Sequence, residues 1–142
     1  MKNLDYQKKP DNQLKKTLGK QKILRPLPII RALFLALIMR NPRITGYEIL
    51  QIVPEAINVS MKVKTGTVYT ELRKLEKVGL VKSIQVSEGR RKRQYEITAK
   101  GIIELKKLNV QIKTRIQSLL EPLLELIDST ITGLSKENIE KQ

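Results

Sequence analysis

The chain contains no cysteine, no histidine and no tryptophan, and only one phenylalanine, Phe34, in 142 residues. Each absence narrows the chemistry. Without Cys or His there is no thiolate or imidazole to serve as nucleophile or base. The usual nitrogen and sulfur ligands of a zinc site are missing as well. A carboxylate-only enzyme would need paired acids, and none stand out among the 14 Asp and Glu. Catalysis is not expected, nor is a cofactor or a metal. No disulfide can form, which fits an intracellular protein, and a cytoplasmic location is expected. Long apolar runs are scarce too. The most apolar segment, "LPIIRALFLALIM" at 27–39, is 13 residues long and includes Arg31. A membrane span needs roughly 20 such residues, and a secretory leader would not follow a polar stretch of this length.

Positive charge is what the chain has in excess, 28 Lys and Arg against 14 acids, a formal charge of +14. Residues 1–25 hold eight basic and two acidic groups, residues 26–101 hold fourteen and six, and residues 102–142 hold six of each. Such an imbalance speaks to partners, not to fold, and favours nucleic acid or an anionic surface. The neutral last third has a different task.

Residues 1–25 have few apolar positions and no sustained period, and read as a mobile basic arm. Pro26 and Pro28 introduce an apolar helix that runs to Arg40 and ends at Asn41-Pro42. Thr45 and Glu48 stand in the capping-box relation and start a second helix, with Ile49, Leu50 and Val53 inward, that weakens at Pro54. Residues 55–64 form a connection with a possible short strand. The third helix, "TGTVYTELRKLEKVGL", carries Val68, Leu72, Leu75 and Val78 on one stripe and stops at Gly79. The period then changes from 3.6 to 2. "LVKSIQV" and "RQYEIT" flank Ser87-Glu88-Gly89 and read as a β-hairpin. A long helix from about Thr98 to Thr132 follows, in which Pro122 is expected to clash with the carbonyl of Ser118 and kink the chain.

Three helices followed by a hairpin make a winged helix-turn-helix, so the fold class is mainly α (α+β), with a long C-terminal helix appended. The expected divisions are an arm at 1–25, the winged domain at 26–101, a dimerisation helix at 102–134 and a tail at 135–142. In this arrangement the third helix can enter the major groove of DNA while the wing crosses the neighbouring backbone. Thr67, Thr70, Arg73, Lys74 and Lys77 point away from the apolar stripe. Arg and Lys suit guanine edges, and Thr suits a thymine methyl or a phosphate. On the wing, Arg90, Arg91, Lys92 and Arg93 repel one another unless they neutralise phosphates and release counterions. Tyr47, Lys62 and Lys64 lie on adjoining segments and complete the candidate set. A solvated charged face is the plain alternative for each of these positions.

"GYEIL" at 46–50, "GTVYTELRKLEKVGLVKS" at 66–83 and "GRRKRQYEITAKG" at 89–101 together resemble the PadR-like transcriptional regulators. The resemblance spans roughly residues 27–101. It implies a winged-helix repressor that dimerises through its C-terminal helix and binds a palindromic operator. Tyr69 falls on the Tyr of that family's recognition helix, implying a phosphate or base contact. Thr70 stands where the family often has Pro. Family members that sense aromatic compounds often use Trp or other aromatics near the dimer interface, and this sequence offers no support for a small-molecule effector.

The last helix has a broad apolar stripe and no later partner in its own chain. Exposed apolar side chains at that density are unfavourable in water, each buried Leu or Ile contributing about 1.5–3 kcal/mol. A two-fold homodimer is therefore expected, with Phe34, Leu105, Leu108, Ile112, Ile116, Leu119, Leu123 and Ile127 at the interface. The expected function is sequence-specific binding of double-stranded DNA at an inverted repeat. A non-specific architectural DNA-binding protein and a winged-helix protein-interaction module remain as alternatives.

Overall fold

A computed structural model describes residues 25–57, 63–86 and 92–140. The chain divides into two compact units, Pro28–Asn109 and the combination of Met1–Leu27 with Val110–Gln142. The first is a winged helix.

Helix α1 (Ile29–Arg40) begins after Pro28, whose carbonyl accepts the first helical bond from Ala32 at 3.0 Å. It ends where Asn41 turns back, its backbone N–H and side-chain amide both donating to the Leu37 carbonyl at 2.9 Å. Ala32, Phe34, Leu35, Leu37 and Ile38 are buried, whereas Ile29 and Met39 are about half exposed. The helix is thus covered on most sides, as its composition suggested. Arg43 then adopts a left-handed conformation, φ 64°, closing the turn that delivers strand β1 (Ile44–Thr45).

This two-residue strand was not expected from the sequence. Ile44 pairs with Tyr95 and Thr45 with Gln94 on β3 (Arg93–Ile97), which also pairs with β2 (Val81–Gln85), giving an antiparallel sheet of order β1-β3-β2. The β2–β3 hairpin is the predicted wing, and its turn, residues 87–91, lies outside the described residues.

Helix α2 (Gly46–Ile57) starts at the predicted Thr45 cap, where the Glu48 N–H donates to Thr45 Oγ1 at 3.2 Å. The return half differs from a standard capping box: the Glu48 carboxylate accepts from the Thr45 hydroxyl at 3.1 Å. Ile49 and Val53 are buried. Pro54 does not end the helix, which continues to Ile57. Near a C-terminal end, one missing donor breaks only one intrahelical bond. Helix α3 (Thr65–Lys77) buries Val68, Leu72 and Leu75 completely. Val78, expected on the same stripe, is 43% exposed, because the helix closes one residue earlier and Gly79 takes φ 80°.

The second unit contains most of the long helix. It is built as α4 (Ala99–Arg115), a π-helical turn over Ile116–Leu120, and α5 (Glu121–Glu140). The expected stress at Pro122 is met by that turn. The Glu121 N–H bonds the Ile116 carbonyl five residues back, and this wider winding makes room for a ring that cannot sit over a regular α-turn. The helix also continues beyond Thr132, through part of the segment expected to be a tail. No helix among the described residues is long and apolar enough to cross a membrane.

Two dimer-interface assignments are corrected. Phe34 is 0% and Leu108 2% exposed within the Pro28–Asn109 unit, so both are core residues. Leu105, Ile112 and Leu119 are partly covered, while Ile116, Leu123 and Ile127 are 41–45% exposed.

Candidate functional site

The buried stripe of α3 orients everything on its opposite face. With Val68, Leu72 and Leu75 locked in the core, Thr67, Thr70, Arg73, Lys74 and Lys77 must point outward, and all five are exposed. Lys64 is exposed at the N-terminal boundary of α3, its carbonyl accepting from the N–H groups of Thr67 and Val68. Arg73 folds back along its own helix, Nε donating to the Tyr69 carbonyl at 3.3 Å. The guanidinium keeps further donors for a partner.

Tyr69 is 40% exposed. Its ring lies against the start of α2: a Cβ added at Gly46 would stand 2.8 Å from Tyr69 Cε1. A side chain at position 46 would displace this ring, so the Gly of "GYEIL" seats the Tyr of "GTVY". Neighbouring Tyr47 is 63% exposed on the first turn of α2.

The wing brings two of its four cations into the described structure. Lys92 and Arg93 are exposed at the start of the returning strand, where the Lys92 carbonyl accepts from the Val86 N–H at 3.2 Å. Arg90, Arg91 and Lys62 lie outside the described residues. Arg73, Lys92 and Arg93 line one cleft of about 690 Å³, together with Tyr47, Tyr69 and Gln94. Three elements separated in sequence thus present cations and phenols to one concave surface. Such a surface can hold anionic oxygens and stack or hydrogen-bond a flat polar group.

At the base of the cleft Tyr95 is 4% exposed. Burial raises its phenol above the ordinary value of 10.0, the Glu76 carboxylate raises it further, and Arg93 and Arg73 pull it partly back. Two of the three cations of the cleft, Arg93 and Arg73, thus act on one buried group. On the sheet, Glu96 lies between Lys82 at 3.5 Å and Arg43 at 3.8 Å. Pairs this exposed contribute little stability.

Sequence reasoning missed a polar link beneath the cleft. Ser83 Oγ donates to Glu76 Oε1 at 2.6 Å and accepts from Arg93 Nη1 at 3.1 Å. Glu76, Ser83 and Arg93 lie on three different elements, so periodicity within any one of them cannot show the cluster; it depends on the β2–β3 register, which sets Ser83 opposite Tyr95, two residues from Arg93.

Residues 34–107, a little over half of the chain, match the model of the transcriptional regulator PadR-like family. No curated protein matches the chain. Among solved structures, a transcriptional regulator from Clostridium thermocellum is similar at 26% identity and a TM-score of 0.54, over 61% of this chain and 87% of that one. A PadR family regulator from Eggerthella lenta shares the fold at 18% identity and a TM-score of 0.59, over 84% and 96%. Bacillus subtilis PadR, solved in complex with operator DNA, matches at 26% identity and a TM-score of 0.49, over 56% of this chain and 46% of that chain.

Proposed function

Because the chain belongs to the PadR-like family of transcriptional regulators, we propose that it binds double-stranded DNA sequence-specifically, as a homodimer on an inverted-repeat operator, and represses transcription there. The observation that carries this reading is the convergence of Arg73 from the third helix with Lys92 and Arg93 from the wing on one cleft. Winged-helix recognition requires that pairing of a groove-entering helix with a backbone-contacting strand.

In this reading Thr67, Tyr69, Thr70, Arg73, Lys74 and Lys77 face the major groove. Arg90, Arg91, Lys92 and Arg93 lie on phosphates of the adjoining backbone, with Tyr47, Lys62 and Lys64 at the margin. The basic segment 1–25 adds a sequence-independent attraction. The winged domain, 26–101, binds DNA, and 102–134 brings two copies together. Support for the dimer comes from the row Ile116, Leu123, Ile127, Ile131 and Leu134, each 41–57% exposed along the C-terminal helix. Occupancy of an operator that overlaps a promoter would be enough to repress transcription.

The test is selection of bound duplexes from a random library by the purified full-length protein near physiological salt. Recovery of an inverted repeat, bound about 10³-fold or more above random sequence, is the expected result. Tight binding without any recovered motif would replace this reading with a non-specific architectural role.

A further inference from the structure

Arg93 is exposed, yet it is not left to sample rotamers freely. Its Nη1 donates to Ser83 Oγ at 3.1 Å, and the same hydroxyl donates to Glu76 Oε1 at 2.6 Å. A hydroxyl has one hydrogen and two lone pairs, so the direction of both bonds is fixed by its partners: a carboxylate only accepts and a guanidinium only donates. Both contacts involve an ionised group, the stronger class of hydrogen bond. Ser83 is the third residue of β2 and lies partly buried, with Glu76 on the last turn of α3 and Arg93 at the start of β3. One small side chain ties the third helix to both strands of the wing.

Arg73 precedes Glu76 by three residues on α3, so fixing Glu76 fixes the turn that presents Arg73. Fixing Arg93 to the same hydroxyl sets the span between the two cations. Their joint action on the Tyr95 phenol, with Glu76, places all three charges in one local field. A guanidinium has five donors, so the donor spent on Ser83 leaves others for DNA.

We propose that Ser83 is a positioning residue for sequence discrimination, holding Arg93 of the wing at a set distance from Arg73 of the recognition helix through its bonds to Arg93 and Glu76. The proposal rests on the reading of Arg73 and Arg93 as DNA contacts. Ser83 itself touches no base or phosphate. It acts by limiting the conformations that fit helix and wing to DNA at once. A correctly spaced operator gains from a preorganised pair, because less freedom is lost on binding. Random duplexes, held by cations in many registers, gain little.

The test uses the full-length protein and the duplex recovered by selection, and compares wild type with Ser83→Ala, Ser83→Thr, Glu76→Gln, the Ser83→Ala/Glu76→Gln double variant and Arg93→Ala. Each variant is assayed on the selected duplex and on random duplex over a range of salt, after circular dichroism has confirmed its fold. For Ser83→Ala, discrimination should fall about tenfold, the scale of one charge-assisted hydrogen bond, with random-duplex affinity and salt slope unchanged. Ser83→Thr, which keeps the hydroxyl, should restore discrimination. Glu76→Gln should add little to Ser83→Ala, since the two act through one link. Arg93→Ala should instead lower affinity on both duplexes and shallow the salt slope by about 0.9. Unchanged discrimination in Ser83→Ala, an equal loss on both duplexes, or additive effects of Ser83→Ala and Glu76→Gln would overturn the proposal while leaving the DNA reading intact. A wild-type protein that selects no motif would overturn both.

Discussion

The α-carbon of Gly101 lies so close to the Leu80 carbonyl that a Cβ built on it would be 2.1 Å from that oxygen and 2.7 Å from Ile97 Cγ1. Around this contact Thr98 joins three segments. Its hydroxyl accepts from the Gly101 N–H at 3.0 Å and lies 2.7 Å from the Gly79 carbonyl and 3.0 Å from that of Leu80. Its N–H donates to the Leu80 carbonyl at 3.1 Å. The end of α3, the start of the wing and the first turn of α4 therefore meet at "TAKG", with no space for a side chain at its last position.

Gly101→Ala is expected to destabilise the fold by about 2 kcal/mol or more, the upper part of the range for overpacking, because the obstacle is backbone and cannot rotate away. Urea unfolding followed by circular dichroism measures this directly. Gly133 has nothing within 4 Å of an added Cβ. Gly133→Ala, on an exposed helix, should be neutral or stabilising by up to about 1 kcal/mol.

Tyr95 supplies a pH test. Burial first, and then the Glu76 carboxylate, raise its phenol above 10.0 in the folded protein. The native state therefore holds this proton more tightly than the unfolded state does. The associated stabilisation is complete below about pH 10 and is lost as pH rises through the folded value. Absorbance titration should show a late phenolic step that is missing in Tyr95→Phe, and that variant should lose less stability than wild type as pH rises above about 10. Identical alkaline unfolding of the two proteins would remove Tyr95 as the cause.

The division of labour between helix and wing can be separated by salt. Lys92→Ala should weaken binding to all duplexes alike and shallow the dependence of log K on log salt by about 0.9. Arg73→Ala should cost about 1–3 kcal/mol on the selected duplex and relax preference at particular base pairs. Gel-shift titrations on operator variants distinguish the two patterns. If Arg73→Ala weakens binding to all duplexes alike, as Lys92→Ala should, Arg73 does not read bases.

The winged domain was legible because its signals are local and redundant. Val68, Leu72 and Leu75 repeat at helical spacing, Gly79 supplies a left-handed stop, and the period changes to 2 at the next residue. Val78 continues that spacing but falls in the turn to Gly79, one residue after the helix closes at Lys77. β1 gave no signal, since two residues carry no period and its pairing is dictated by β3. A weakening at Pro54 and a kink at Pro122 are what proline leads one to expect, but a late helical position accommodates the first and a π-helical turn the second. Leu108 is assigned to a dimer interface because an unbroken apolar stripe does not mark where burial within the domain ends, and Phe34 because a first helix apolar on most sides does not show which elements of its own chain cover it. The Glu76–Ser83–Arg93 link could not be read at all, because it depends on strand register and on the approach of a helix end to the sheet.

The remaining apolar row gives the last prediction. Ile116, Leu123, Ile127, Ile131 and Leu134 are 41–57% exposed, a large apolar surface for a helix with no covering element among the described residues. In a two-fold dimer each of these side chains is buried twice, once per copy. Ile127→Asp therefore removes two apolar contacts, about 1.5–3 kcal/mol each when fully buried, and places two carboxylates in the interface. The dimer dissociation constant should rise by at least 10²-fold, since every 1.4 kcal/mol is about a factor of ten. Sedimentation over about 10 nM to 10 μM should show the variant dissociating to monomer at a concentration at least 10²-fold higher than the wild type does. Circular dichroism of the variant should keep the winged domain's helix signal, because Ile127 lies outside the Pro28–Asn109 unit. Its affinity for the selected inverted repeat should fall towards that of a single half-site, since the two recognition helices are no longer joined. A wild-type monomer would refute the dimer outright; a variant that remains dimeric would move the interface off this face.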